Sequence, residues 1–376
     1  MSVFSPIDNE FMARALRLAE RGKFLAKPNP KVGCVIAKNN IVVGEGYHQR
    51  FGEAHAEVNA LAMAGDKAKG ATAYVTLEPC AHQGKTGPCA KALISAGVSR
   101  VVMAMRDPNP KVDGGGEALL NQAGIKTESG LMEAEARQLN PGFIKRMKTG
   151  LPWIRIKLAQ SSDGRTAMAN GESKWITGAA ARQDVQRLRA RHDAIITGRG
   201  TVMDDAPSLT VRMKDWDNPP EPKLIEHYRQ PLRVVLDRNA SLSIDNPFFR
   251  IDSPIWWVHS KDKNFSTHST PILDHITVKA FNHEQFLTEL LSSLAKQECN
   301  EVLIEAGAEL SGAFLQAGLC DELIVYQAAK LMGSLARPLT QLPIDSMNEC
   351  LDLNLIDLRQ IGSDLRMTYQ LKEFVE

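Results

Sequence analysis

The chain of 376 residues lacks most of the features that would tie it to an unusual compartment or partner. Its six cysteines, Cys34, Cys80, Cys89, Cys299, Cys320 and Cys350, are too sparse for a disulfide framework. No run reaches the ~18 apolar residues of a membrane span. The opening residues, Met1 to Pro6, have neither the basic nor the apolar region of a signal peptide, so cytoplasmic residence is the expectation. An excess of one charge is missing too. The 45 Lys and Arg stand against 44 Asp and Glu, a net charge of +1. That balance offers no electrostatic drive toward nucleic acid or acidic membranes, and no partner of either kind is expected. There is no short-period repeat, no low-complexity tract, no G-x-G-x-x-G and no P-loop.

What is present is ordinary globular composition, 43% hydrophobic and 24% charged. At about 150 residues per domain, the length predicts two or three domains. The first 130 or so residues alternate helix and strand. Phe11, Met12, Ala15, Leu16, Leu18 and Ala19 recur at helical spacing, and Gly22 is placed to stop that helix. Val32–Ala37 and Ile41–Gly46 read as a hairpin turning at Asn39-Asn40. A helix at His55–Ala64, a strand at Ala73–Leu77, a helix at Cys89–Ala96 and a strand at Val101–Met105 follow. This alternation predicts an α/β three-layer sandwich. Lys145–Pro152 reads as a short basic connector, so the domains are expected at 1–149 and 150–376. In the second, strands are predicted at Ile154–Leu158, Ala194–Thr197, Val234–Asp237, Ile255–Val258, Val302–Glu305 and Leu323–Ala328. Helices are predicted at Ala179–Arg191 and Phe286–Lys296, and Lys214–Pro231 reads as a surface loop.

One constellation in the first domain carries chemistry: His55-Ala56-Glu57, then Pro79-Cys80, then Pro88-Cys89. One imidazole and two thiolates can hold zinc with a fourth position left for water, and a carboxylate that is not a ligand can carry protons. His55, Cys80 and Cys89 fit the ligand roles, and Glu57 the proton-carrying role. Residues two apart point to opposite sides of a helix, so His55 and Glu57 can share a site only where the helix begins. Pro88 suits the start of a helix, where the free N–H groups favour a Cys89 thiolate. His82 is an alternative fourth ligand that would close the site and make the zinc structural.

The first 145 residues resemble the deaminase domain of the bifunctional riboflavin-biosynthesis deaminase–reductases. The resemblance is carried by Pro28-Asn29-Pro30-Lys31-Val32-Gly33, Gly44-Glu45-Gly46-Tyr47-His48, His55-Ala56-Glu57 and the segment from Thr76 to Cys89. Eight residues separate the two cysteines, unlike the two of nucleic-acid and cytidine deaminases. The resemblance implies a cytidine-deaminase-like fold with Asn29, His48, His82 and Lys85 in the substrate pocket. Many family members have Pro where Gly87 stands.

The second domain resembles the reductase half of the same family, an α/β domain related to dihydrofolate reductase. Its carriers are Lys157 to Arg165, Gly171 to Thr177, Gly200 to Arg212 and the strand–turn–helix Ile304-Glu305-Ala306-Gly307-Ala308-Glu309-Leu310-Ser311-Gly312-Ala313. A turn of that kind can present free N–H groups to a pyrophosphate. The resemblance implies NADPH contacts from Ala159, Trp175, Thr201, Asp205, Gly307, Ala308, Glu309, Leu310, Ser311, Gly312 and Ala313. It implies reductase-substrate contacts from Lys157, Ser173, Arg189, Leu209, Arg212 and Glu305, with Arg189 and Arg212 suited to a ribose phosphate. Ser162, Ala206 and Ala329 depart from the family pattern.

The expected function is therefore a two-step one. Zinc-dependent hydrolysis removes the pyrimidine 2-amino group of 2,5-diamino-6-ribosylamino-4(3H)-pyrimidinone 5′-phosphate, and NADPH then reduces the ribosylamino to a ribitylamino group. A homo-oligomer is expected from the resemblance. The rivals are a deaminase with an impaired reductase, a nucleic-acid deaminase, and a regulatory nucleotide-binding protein with structural zinc. The four remaining cysteines are expected to be ordinary buried thiols.

Overall fold

The computed structural model describes residues 4–81, 87–110, 112, 114–260, 273–278 and 282–371. The chain forms two compact units, Met1–Gly150 and Leu151–Glu376. Unit one runs α1 (Pro6–Glu20), β1 (Gly33–Lys38), β2 (Ile41–Tyr47), α2 (Ala56–Ala64), β3 (Thr72–Val75) and α3 (Cys89–Ser95). It continues with β4 (Arg100–Met103), α4 (Gly115–Gln122), β5 (Lys126–Ser129), α5 (Glu133–Leu139) and α6 (Pro141–Thr149). Its five-stranded sheet has the order β2-β1-β3-β4-β5, with β1 antiparallel to both neighbours and the rest parallel.

The period of two along β1 builds two cores. Cys34 and Ile36 pack with Ala56, Ala60 and Leu93, whereas Val35 and Ala37 pack with Met12, Ala15 and Phe143. Helices therefore cover both faces, giving the three-layer sandwich. The start of α1 is fixed by a capping box, in which the Ser5 hydroxyl accepts from Asp8 N–H and Asp8 accepts from Ser5 N–H. The Asp8 carboxylate also accepts from Tyr74 Oη at 2.7 Å and Arg100 Nη1 at 2.6 Å. Burial works to raise the Asp8 carboxyl, but Arg100, Ser5 and Tyr74 outweigh it and hold it far below its ordinary 3.8.

A carboxyl depressed in the folded state contributes stability that is present above its ordinary value and lost as pH falls through the depressed one. Asp8→Asn is expected to cost roughly 2–3 kcal/mol at neutral pH and to flatten the acid limb of stability. Urea midpoints from pH 7 down to 2 check this. Equal losses at every pH would overturn the assignment.

Unit two begins with β6 (Trp153–Ser161), β7 (Arg165–Ala167), α7 (Ala179–Arg191), β8 (Ala194–Gly198), α8 (Arg199–Asp205) and α9 (Pro222–His227). β9 (Leu232–Leu236), β10 (Ile255–His259), β11 (Leu273–Thr277), α10 (His283–Lys296), β12 (Glu301–Ile304) and α11 (Ala308–Gln316) follow. β13 (Glu322–Ala328), β14 (Arg337–Pro338), β15 (Asn354–Ile361) and β16 (Asp364–Gln370) complete it. Nine strands form one sheet of order β11-β10-β9-β8-β12-β6-β13-β16-β15, parallel through β13 and closed by an antiparallel hairpin. Again the faces alternate: Ile154, Ile196 and Val234 pack with Leu290 and Leu294 of α10, and Ile195, Val235 and Leu303 with Val185 and Leu188 of α7.

Four expectations are corrected. Lys145–Thr149 is not connector but the last turns of α6, whose Phe143 and Ile144 are buried and whose basic residues favour the helix C-terminus. Gly150 at φ 71 ends that helix. The Lys214–Pro231 stretch contains α9. Cys350 is exposed, although Cys34, Cys299 and Cys320 are buried as expected. The strands β5, β7, β11, β14, β15 and β16 were not predicted: β5 is a polar edge strand held by Arg100, which bonds Glu128 at 2.6 Å. Among the described residues no helix is long and apolar enough to cross a membrane.

Candidate functional site

In unit one, α2 begins where the reading of His55 and Glu57 requires. His55 is its N-cap in extended conformation, φ −74 and ψ 169, and Glu57 lies in the first turn. The helix can lie close on β2 because Gly46 has no side chain; a Cβ there would come within 2.6 Å of Ala60 N. Cys80 follows β3, and Cys89 is the first residue of α3, with Pro88 as N-cap. The His55 Nδ1 stands 3.3 Å from Cys89 Sγ and 3.7 Å from Cys80 Sγ, and Cys89 N–H donates to Cys80 Sγ at 3.4 Å. Among the described residues these three form a ligand set whose donor atoms all lie within 4.8 Å of one another. One imidazole nitrogen and two sulphurs in that spacing fit zinc. Hydrogen bonding from Cys89 holds the Cys80 thiol low against its burial, with His55 adding to the effect.

Glu57 is buried, and its carboxyl is pushed up to about 7 by burial and then by the Cys80 sulphur. A carboxyl poised near neutrality both takes up and releases protons. Asn29 and His48 meet beside His55: Asn29 Nδ2 donates to His48 Nε2 at 3.2 Å, and His48 Nδ1 donates to the Ala54 carbonyl at 3.2 Å. The His48 and His55 rings stand edge to face at 5.2 Å between centroids. His82 and Lys85 lie outside the described residues, so the structure describes neither as ligand nor as pocket wall.

Two supporting residues escaped the sequence reading. Glu78, two residues before Cys80, buries a carboxylate that accepts from the backbone N–H of Asp107, Gly114, Gly116 and Glu117 at 3.0–3.3 Å. At Gly116 a Cβ would sit 1.9 Å from the Pro79 carbonyl oxygen. Asn140 clamps the Asn29 loop, accepting from Lys31 N–H and donating to Lys31 O, both at 2.8 Å. Glu78 stood within a motif with no role attached. The partners of Asn140 are 109 positions away, and no local signal marks them.

Unit two holds a cleft of about 900 Å³ at the C-terminal ends of its parallel strands. That is where ligands bind in open α/β sheets. Lys157, Ala159, Ser173, Arg189, Thr201, Asp205, Leu209 and Glu305 line it, as do Gly307–Leu310 and Ala313. Trp175, Arg212, Ser311 and Gly312 are not in its wall. Trp175 is 65% exposed and stacks under Arg182 at 4.5 Å. Arg212 turns to Asp215 at 3.3 Å and Ser208 at 3.1 Å. Ser311 is buried behind the turn, and a Cβ on Gly312 would meet the Gln341 carbonyl at 2.0 Å. The N-terminus of α11 has no side-chain cap, and a Cβ on Gly307 would meet nothing within 4 Å. Open backbone at an uncapped helix start fits a dinucleotide pyrophosphate.

Arg189, expected at the substrate, lines the cleft and is also engaged by a carboxylate there. It turns inward from α7 and grips Glu305 with Nε at 2.5 Å and Nη2 at 2.9 Å. Lys157 Nζ lies 3.8 Å from the same carboxylate. Burial works to raise the Glu305 carboxyl, but Arg189 and Lys157 hold it below the usual range. Burial lowers the Lys157 ammonium, with Glu305 opposing. Ser162 is tied by Oγ to the Ala328 carbonyl at 3.0 Å, and Ala206 caps α8 in the left-handed region at φ 41. The cleft also exposes Arg199, Arg238 and Arg337, which the motifs had not singled out.

Comparison with known proteins bears on both units. Residues 5–105 match the family described as the cytidine and deoxycytidylate deaminase zinc-binding region, and residues 152–367 match the RibD C-terminal domain. Over 95% of its length the chain is 49% identical to the riboflavin biosynthesis protein RibD of Escherichia coli, covering 98% of that protein. The solved Acinetobacter baumannii RibD superposes with a TM-score of 0.87 at 44% identity, over 97% of this chain and 99% of that one. A Thermotoga maritima protein described as a diaminohydroxyphosphoribosylaminopyrimidine deaminase/5-amino-6-(5-phosphoribosylamino)uracil reductase gives 0.85 at 29% identity, over 97% and 99%. With a zinc-binding deaminase region, a reductase domain and near-full-length relatives of one kind, the chain belongs to the RibD family of bifunctional riboflavin-biosynthesis deaminase–reductases.

Proposed function

We propose that unit one deaminates 2,5-diamino-6-ribosylamino-4(3H)-pyrimidinone 5′-phosphate and that unit two reduces the product's ribosylamino group with NADPH. The observation that carries the first half is the convergence of His55, Cys80 and Cys89 beside a buried carboxylate that is not one of them. His55, Cys80 and Cys89 hold zinc, which when bound supplies the Lewis acidity that makes water nucleophilic at neutral pH. Glu57 carries the proton between the attacking water and the departing ammonia. Asn29 and His48 orient the pyrimidine, their mutual hydrogen bond fixing the imidazole tautomer. His82 and Lys85 are assigned to the substrate pocket on family likeness alone.

In unit two NADPH, when bound, supplies hydride to C1′ of the substrate. Ala159, Thr201, Asp205 and the turn Gly307–Leu310 with Ala313 hold the cofactor, while Lys157, Ser173, Leu209 and Glu305 face the substrate. Arg189 faces the substrate with them and also fixes the Glu305 carboxylate. Trp175, Ser311 and Gly312 are assigned to the cofactor, and Arg212 to the substrate phosphate, on family likeness alone.

Homo-oligomer formation is part of this reading. The edge strand β15 exposes Leu355, Ile356 and Leu358, an apolar row that a second copy can cover. A single-chain mass of 41.4 kDa in light scattering would remove that part. Nucleic acid is not a partner on this reading, and the enzyme acts in the cytoplasm.

The deciding experiment gives the zinc-loaded protein the diaminopyrimidine phosphate with and without NADPH. Ammonia release in both cases, followed by NADPH consumption, is expected. No ammonia would sink the first assignment, and ammonia without NADPH consumption the second.

A further inference from the structure

We propose that Arg238, assisted by Arg199, is the subsite for the adenosine 2′-phosphate of NADPH and sets the preference for NADPH over NADH. The proposal rests on the reading of the unit-two cleft as the dinucleotide site.

The cleft has direction. Its wall runs from Lys157 and Ala159 on β6, past Gly307 at the end of β12 and Gly198 at the end of β8, to Leu236–Asn239 beyond β9. In the sheet these strands are neighbours in the order β9-β8-β12-β6, three spacings of about 4.8 Å, or roughly 14 Å across. The uncapped start of α11 falls inside that span, suited to the pyrophosphate. The two ends differ in chemistry. At β6 stand the charged groups Lys157 and Glu305, which suit a reacting centre. At β9 stand Leu236, Phe286, Leu287 and Leu310, which offer apolar wall to an adenine, with the guanidinium groups of Arg238 and Arg199 at the rim.

Register puts those two arginines together. Gly198 pairs with Leu236 at the ends of parallel strands β8 and β9, so Arg199 and Arg238 leave adjacent strand ends one and two residues later. Arg199 forms no ion pair among the described residues. The Arg238 side chain lies over the start of α10, with Nη1 2.7 Å from His283 Nε2 and the guanidinium 5.9 Å from the Phe286 ring.

The residue between them supplies the second half of the argument. Asp237 stands just past the end of β9, where an acid would hold a free ribose 2′-hydroxyl in an NADH site. Here its carboxylate is turned into the core, 1% exposed, accepting from Ser241 Oγ at 2.9 Å, Leu242 N–H at 2.7 Å and Trp257 Nε1 at 3.3 Å. The diol-binding acid is thus occupied elsewhere, and the next side chain offers a cation. A phosphate dianion satisfies that arrangement; a neutral hydroxyl does not.

The test measures binding to the full chain by calorimetry, with 2′-phospho-ADP-ribose and ADP-ribose as probes that carry no nicotinamide. The wild type is expected to prefer the 2′-phosphorylated probe. Arg238→Ala lowers affinity for that probe about tenfold to a hundredfold while leaving ADP-ribose binding in place, which also reports an intact cleft. Arg199→Ala gives a smaller loss, Arg238→Lys an intermediate one, and added salt weakens the 2′-phosphorylated probe more than ADP-ribose. Unchanged preference in both alanine variants overturns the subsite, as does a preference removed by Arg337→Ala instead. Binding of neither probe by the wild type overturns the cofactor reading of the cleft and the subsite with it.

Discussion

Replacing Glu57 by Gln is expected to lower ammonia release by roughly 10²–10⁴-fold while the protein keeps its full complement of zinc. Glutamine matches glutamate in shape, so the packing of this buried position in the first turn of α2 is retained. The change removes a group that can both take and give a proton, and nothing else. Zinc is retained because the ligand atoms come from His55, Cys80 and Cys89, whose mutual spacing does not depend on residue 57. NADPH consumption on the deaminated intermediate is expected to be unaffected, since its residues belong to unit two. Metal analysis beside an ammonia assay makes the comparison. Unaltered ammonia release would favour a structural zinc site, and joint loss of zinc and activity would make Glu57 a ligand rather than a proton carrier.

Replacing Glu305 by Gln is expected to do the reverse, sparing ammonia release and abolishing NADPH consumption. Glu305 accepts two hydrogen bonds from Arg189 and faces Lys157 at 3.8 Å, all three side chains being largely buried. Removing the single negative charge leaves two buried cations facing each other. Breaking one side of such an arrangement costs roughly 3–5 kcal/mol, and the loss falls on unit two. A lowered thermal transition accompanies the lost reductase activity, and Arg189→Ala removes reductase activity as well because it releases Glu305. A Glu305→Gln protein with both activities and an unshifted transition would show that the triad is neither structural nor functional.

How far these groups could be read in advance follows from how far apart their partners lie. His55 and Glu57 are two residues apart at a helix start, and Cys80 and Cys89 lie within one strand–loop–helix passage, so the ligand chemistry was visible in short segments. Arg189 was not. Four arginines share α7 and its register alone does not say which turns inward; the answer depends on Glu305, 116 positions later. Glu78 was quoted within a motif, yet its acceptor role depends on amides 29 to 39 residues downstream. The strand β15 escaped because its Leu355, Ile356 and Leu358 sit on an exposed edge, where they make no inward-facing pattern. Arg238 was hidden for another reason: a strand end followed by an arginine is common, and only the inward turn of Asp237 gives it meaning.

The loop that Glu78 holds has a consequence for how unit one opens. Four amides, those of Asp107, Gly114, Gly116 and Glu117, converge on one carboxylate instead of pairing in a ladder. In a strand or helix such amides can fray one at a time, each exchanging with solvent at its own pace. Here they share a single acceptor, so withdrawal of one side chain exposes all of them together. Hydrogen exchange at these four amides therefore has the character of a latch, with one free energy common to four sites, and that latch is anchored two residues from Cys80.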